Sequence, residues 1–199
     1  LTGQSVQSIF KKENVWKIET QSEHYVVEKL VLATGSNPKI WEMLQSYGHA
    51  IVNPVPSLFT FNIKDSRIKE LPGVAALATV KVKDTKLEST GPLLITHWGM
   101  SGPAVLKLSA WGARTLHDKN YQFTIFVNWL NDVDTDDAEK KLKELKLEHA
   151  KKAVSKKSPF DFANRLWESI VLASGIETET KWADLSKVQL QNLSNQLTN

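Results

Sequence analysis

Gly91-Pro-Leu-Leu-Ile-Thr-His-Trp-Gly-Met-Ser-Gly-Pro-Ala104 is the stretch that decides how this chain is read. An apolar run leads into Thr96 and His97. Gly99, Ser101 and Gly102 follow, and from Pro103 onward Val105, Leu108 and Trp111 return at helical spacing. The pattern predicts a strand over Leu93–Thr96, a tight loop, and a helix over Pro103–Leu116. Gly99 is expected at positive φ, Ser101 or Gly102 as the cap, and Pro103 at the first helical position. The free amides of such a helix start suit an anion or a polar ligand edge. A serine in a glycine-rich turn also invites comparison with a hydrolase nucleophile elbow. Pro103, however, stands where the second glycine of Gly-x-Ser-x-Gly belongs, and it has no amide to give an oxyanion hole, so Ser101 is excluded as a nucleophile. His97 is expected first as a hydrogen-bonding residue at a strand end.

Upstream, Ser5–Lys11, Val15–Thr20 and His24–Val27 read as a meander of short strands separated by polar turns. Lys29-Leu-Val-Leu-Ala-Thr-Gly35 is a continuous apolar run ending in small residues, expected as a strand buried on both faces. Pro38 opens a short helix over Lys39–Tyr47, with Gly48 past its end. Residues 49–62 are extended and broken by Pro54 and Pro56, which suits edge strands. Val74–Lys83 and Tyr121–Asn128 are further strands, the first turning back at Lys83–Lys86. After Trp129 the composition changes. Asp132–Asp137 leads into a long helix reaching about Val154. Ser158-Pro159 is expected to start a second helix that stops at Gly175. Ser186 and Gln189 form a capping-box pattern ahead of Leu190, Leu193 and Leu197. The fold class is therefore α+β: a β-meander (residues 1–36), a small β-barrel-like domain (37–130) and a three-helix bundle (131–199).

Composition narrows the function classes. The chain has 199 residues, no cysteine and a net charge of +3. Thiolate catalysis and cysteine-held zinc are excluded, and a reducing, cytoplasmic setting is expected. No apolar run is long enough to span a bilayer as a helix. The lysines of 140–157 alternate with carboxylates and read as a solvated helix face. Arginines are sparse and scattered (Arg67, Arg114, Arg165), so nucleic acid is not an expected partner. The five histidines show no paired metal spacing, and Asp132–Asp137 lacks the glycine and the twelfth-position glutamate of a calcium loop, so no metal site is expected. The chain opens on Leu1 in what reads as mid-strand, which leads us to expect a segment of a longer protein.

Four segments together resemble one family. They are Lys29–Gly35, Gly48-His-Ala-Ile-Val-Asn-Pro-Val-Pro-Ser57, Leu71-Pro-Gly-Val74, and the Thr-His-x-Gly-x-Ser-Gly-Pro string at 96–103. In this order they are similar to the bacterial HI0933-like (also BaiN-like) flavoproteins, NAD(P)/FAD-dependent oxidoreductases. The resemblance implies a FAD-binding domain interrupted by a barrel-like insert, itself interrupted by a helical bundle. It makes residues 1–36 the tail of the FAD domain and the remainder the substrate-side insert. By the same resemblance, Ala33, Thr34 and Gly35 line the flavin, and Thr96, His97, Gly99, Ser101 and Gly102 line the cleft. The implied partner is the rest of the FAD-binding domain. The implied enzyme is the intact parent, with this segment not active alone, because no Gly-x-Gly-x-x-Gly turn occurs anywhere in the chain. After Gly35 the chain departs from the family, passing almost directly into a helix where a longer glycine- and serine-rich stretch is usual. The alternative is a non-enzymatic protein- or nucleic-acid-binding module, supported by the basic balance and seven tryptophans. Burial of Trp98, Trp111, Trp129 and Trp167 favours the first reading; one exposed platform of several beside lysines favours the second.

Overall fold

The computed structural model describes residues 2–199. It divides into two compact units, one ending at Asn53 and the other spanning Pro54–Asn199.

The first unit is the expected meander. Strands β1 (Val6–Lys12), β2 (Val15–Thr20) and β3 (His24–Val27) pair antiparallel in chain order. Glu13 makes the first turn at positive φ. Helix α1 (Pro38–Ser46) follows, its Asn37 side chain capping the Lys39 amide, and Gly48 leaves the helix at positive φ. The sequence reading groups residues 37–53 with the barrel; the chain instead divides at 53/54. The physical tie is Tyr47, whose ring meets Trp16 edge-on at 5.6 Å. Its hydroxyl accepts from the Lys11 amide and donates to the Ile9 carbonyl.

Lys29–Gly35 corrects the sequence expectation. The segment forms no strand, and Val31 is 86% exposed. A strand apolar on both faces needs neighbours on both edges and a cover on both faces. The three-stranded meander of this unit provides neither.

The second unit is a curled half-barrel joined to a helical bundle. Five strands, β4 (Phe61–Asn62), β5 (Ala75–Val82), β6 (Glu88–Thr96), β7 (Gly99–Ser101) and β8 (Ile125–Asn128), lie in the order β4-β7-β6-β5-β8, all antiparallel. Alternation along β5 and β6 sends Ala78, Val80, Val82, Leu93 and Ile95 inward. The sheet curls until its two edges approach, and there Phe61 of β4 meets Phe123 edge-on at 5.1 Å. Side chains rather than backbone bonds cover this seam.

Helix α2 (Pro103–Trp111) fills the concave side with Ala104, Val105 and Leu108, and α3 (Ala113–Asp118) adds Leu116. The single helix expected over 103–116 breaks at Gly112, where a Cβ would lie 2.6 Å from a Leu87 methyl and 2.9 Å from the Leu108 carbonyl oxygen.

Helices α4 (Thr135–Glu148), α5 (Asn164–Ala173) and α6 (Lys187–Thr198) make the bundle. Helix α4 ends about six residues short of the expected Val154, and α5 begins at Asn164 rather than at Ser158. The Ser158 hydroxyl instead closes a local turn with Phe160, which lets Phe160 reach Trp167 at 5.7 Å. Gly175 ends α5 at positive φ, and the Ser186–Gln189 capping box starts α6, both as expected. Half-barrel and bundle share one continuous apolar core, tied by the Trp129 amide donating to the Leu197 carbonyl at 2.8 Å. Among the described residues, no helix is long and apolar enough to cross a membrane.

Candidate functional site

The 96–103 string folds differently from a strand, loop and helix. It is a hairpin followed by a helix. Strand β6 ends at Thr96, His97 and Trp98 make the turn, and Gly99-Met100-Ser101 return as β7 in register with Thr96, Ile95 and Leu94. Neither turn residue takes a positive φ, so this is not one of the glycine-rich primed turns. Gly99, at φ 147°, absorbs the reversal instead. The Thr96 hydroxyl supports the turn by accepting from the Trp98 amide at 3.3 Å.

Both glycines have packing reasons as well as conformational ones. A Cβ on Gly99 would lie 2.5 Å from the Ile63 nitrogen and would overlap the Phe61 carbonyl oxygen. Gly99 thus lets the hairpin lie flat on β4, and the Ile63 amide then donates to the Trp98 carbonyl at 2.9 Å. Gly102, at φ 92°, sits against the β6 backbone, where a Cβ would be 2.8 Å from the Pro92 carbonyl oxygen and 3.0 Å from the Leu94 nitrogen. It is the N-cap residue of α2 and offers no side-chain cap, and Pro103 follows at N1. Ser101 is a strand residue and not the cap, because pairing with Leu94 holds it in the sheet.

The structure therefore brings Thr96, His97, Gly99, Ser101 and Gly102 together on one hairpin. It places Ala33, Thr34 and Gly35 in the other unit, on exposed extended chain. Gly35 has φ 63°, and a Cβ there would meet nothing within 4 Å. The demand for glycine at 35 is conformational and not one of packing.

A pocket of about 400 Å³ opens beside the hairpin turn, between Thr96, His97 and Gly99 on one side and the loop 63–69 on the other. That loop carries residues the sequence reading passed over. The Arg67 guanidinium grips the Asp65 carboxylate through Nε, at 3.1 Å to both oxygens, and through Nη2 at 2.8 Å. The paired guanidinium holds the Asp65 carboxyl below its usual range against the opposing effect of partial burial. Arg67 also fastens the loop to the bundle: its Nη1 donates to the Gln196 side chain at 2.7 Å, and its carbonyl accepts from the Ser169 hydroxyl at 2.6 Å. Arg67 was visible in sequence only as an isolated arginine; its role depends on partners more than 100 positions away. A second crevice of about 370 Å³ lies on the other side of the same loop, walled by Met100, Phe123, Trp129 and Ile170.

The half-barrel and bundle match a known architecture. A family profile described as HI0933-like protein barrel and H2TH domain covers residues 55–199. The chain belongs to the HI0933-like family. In this HI0933-like domain, the matched span coincides with the second compact unit to within one residue. The family string 96–103 is accounted for by backbone geometry: Gly99 and Gly102 are positions where the hairpin and helix touch other backbone.

The tryptophans divide. Trp129, Trp167 and Trp182 are core, whereas Trp98 and Trp111 are 75% and 81% exposed. The exposed pair sits on different elements, the hairpin turn and the end of α2, and no ring contact joins the two. They do not make the single platform that the binding-module alternative requires.

Proposed function

We propose that this HI0933-like chain is the substrate-side insert of a FAD-dependent oxidoreductase, together with the tail of its flavin domain. One observation supports this most. Leu30, Val31 and Leu32 form an apolar run with no sheet partner, and Val31 is exposed. Such a run is stable when covered on both faces, and the parallel sheet of a flavin-binding domain supplies that cover. The rest of that domain is the proposed partner.

In that setting Ala33, Thr34 and Gly35 line the flavin. Their small side chains and the open space at Gly35 fit a flat ring or a nucleotide edge passing close to the backbone. They do not supply a phosphate cradle, since the chain has no Gly-x-Gly-x-x-Gly, so this segment on its own holds FAD weakly or not at all. When bound, the flavin carries hydride or electron transfer. The chain's own residues orient the reactants, with Thr96, His97, Gly99, Ser101 and Gly102 facing the cleft.

A flavin titration followed by fluorescence tests the reading. The 199-residue chain is expected to leave FAD fluorescence unchanged at micromolar concentrations, while a longer protein carrying the adjoining strand-turn-helix binds it and protects the amides of 30–35 from exchange. Micromolar FAD binding by this chain alone overturns the proposed division of labour. Adjoining coding sequence without Gly-x-Gly-x-x-Gly overturns the flavoprotein reading itself.

A further inference from the structure

We propose that the pocket between the 96–99 turn and the 63–69 loop binds the anionic group, phosphate or carboxylate, of a small ligand. This deepens the reading above, and it rests on that reading only for calling the ligand a substrate.

Charge is the first argument. Lys64 and Lys69 line the pocket, and among the described residues neither has a carboxylate partner. In the bundle, by contrast, Lys140, Lys141 and Lys143 are each paired to an acid. The one carboxylate in the pocket wall, Asp65, is held by Arg67 on two edges. That pair is neutral in sum, so the pocket keeps the charge of its two free lysines.

The second argument is donor geometry. Ser66 and Thr96 contribute hydroxyls to the same wall, and His97 an imidazole. The Thr96 oxygen already accepts from the Trp98 amide, which leaves its own hydrogen to donate. Two lysines and two hydroxyl residues lining one concavity match the several acceptor oxygens of a phosphate or carboxylate.

The third argument is preorganisation. Loop 63–69 is fixed at both ends of its span. The Ile63 amide is bonded to the hairpin at Trp98, and Arg67 is bonded to Ser169 and Gln196 of the bundle. Binding therefore has little loop ordering to overcome. The string 96–103 then has a consequence beyond backbone fit, because Gly99 brings Thr96 and His97 against this loop.

The test is an amide chemical-shift titration of the full chain with pyrophosphate in one arm and citrate in the other, at low salt. Saturable shifts confined to residues 63–69 and 96–99 are expected in at least one arm, and the responding arm identifies phosphate or carboxylate as the preferred group. Lys64→Gln with Lys69→Gln should weaken binding about tenfold or more. Lys64→Arg with Lys69→Arg keeps the charge and should retain it. Lys151→Gln with Lys152→Gln, in the bundle, should change nothing. No saturable shift in either arm, shifts centred elsewhere, or equal affinity in the glutamine variant overturns the proposal. If the glutamine variant fails to fold, the shift map of the unsubstituted chain and the arginine variant still decide. The titration contains no flavin, so a failed FAD reading leaves its result intact.

Discussion

Gly99 lies flat against the backbone of Phe61, with no room between them for a side chain. That contact seats the β6–β7 hairpin on β4 and brings Thr96 and His97 against loop 63–69. Gly99→Ala must either push β4 away or abandon φ 147°. Both break the Ile63–Trp98 hydrogen bond, and a cost of about 2–4 kcal/mol follows. Gly91→Ala is the control, since a methyl there would find only ordinary contacts, the nearest at 3.6 Å from the Ala104 nitrogen. Urea midpoints should fall sharply for the first variant and little for the second. Equal midpoints would remove the packing explanation of the glycine.

The Asp65–Arg67 pair sets an acid limb on stability. The carboxyl is depressed in the folded chain, chiefly by hydrogen bonding to the guanidinium. A depressed acid contributes stability above its unfolded pKa of about 4 and loses that contribution as pH falls through the folded value. Arg67, pushed further up, stays charged throughout and adds no slope of its own. The pair is partly open to water, with side-chain exposures of 46% for Arg67 and 29% for Asp65, so its worth is no more than about 1 kcal/mol. Asp65→Asn should therefore lower stability slightly at neutral pH and flatten its decline below pH of about 4. Chemical denaturation at a series of acidic pH values reads this directly. An unchanged slope would mean that the pair does not persist in solution.

Trp167 and Trp111 separate core from surface. Trp167 is fully buried, stacks on Trp182 at 6.2 Å, and donates its indole N–H to the Val154 carbonyl at 2.7 Å. Trp167→Ala leaves a cavity and an unpaired carbonyl, for a loss of about 3–5 kcal/mol. Trp111 is mostly in water, and Trp111→Ala should stay within about 0.5 kcal/mol of the parent. Thermal unfolding distinguishes them. A large loss for Trp111→Ala would mean that its face is covered in solution.

The sequence was most legible where local chemistry decides the structure. The three meander strands, the Lys83–Lys86 turn, the stop at Gly175 and the capping box all follow from residues within one turn of each other. It was least legible where distant pairing decides. Gly99-Met100-Ser101 has no alternation of its own; it is a strand because Leu94–Thr96 and β4 hold it on both sides. Lys29–Gly35 shows the converse, an apolar run that remains unpaired for want of neighbours. Thr96, His97 and Gly99 of the family string form the hairpin side of the pocket. The loop half, Lys64 to Lys69, carries no local signal beyond mixed charge, because what fixes it comes from Ser169 and Gln196.

The capping box at the start of α6 ties two helices rather than one. The Ser186 hydroxyl accepts from the Gln189 amide at 3.2 Å, and the Gln189 side-chain oxygen accepts from the Ser186 amide at 3.0 Å. The Gln189 Nε2 also donates to the Gly175 carbonyl at 3.0 Å, just past the end of α5. Ser186→Ala removes the cap and the hydroxyl's own bond to the Gln189 side-chain oxygen, at about 1 kcal/mol. Gln189→Ala removes the reciprocal bond and the link to α5 together from a half-buried position, so it should cost at least as much. The double variant should cost less than the sum of the two, because each single change already leaves the box incomplete. A double-mutant cycle by urea denaturation measures this. Strict additivity would show that the two bonds act independently and that Gln189 serves α5 alone.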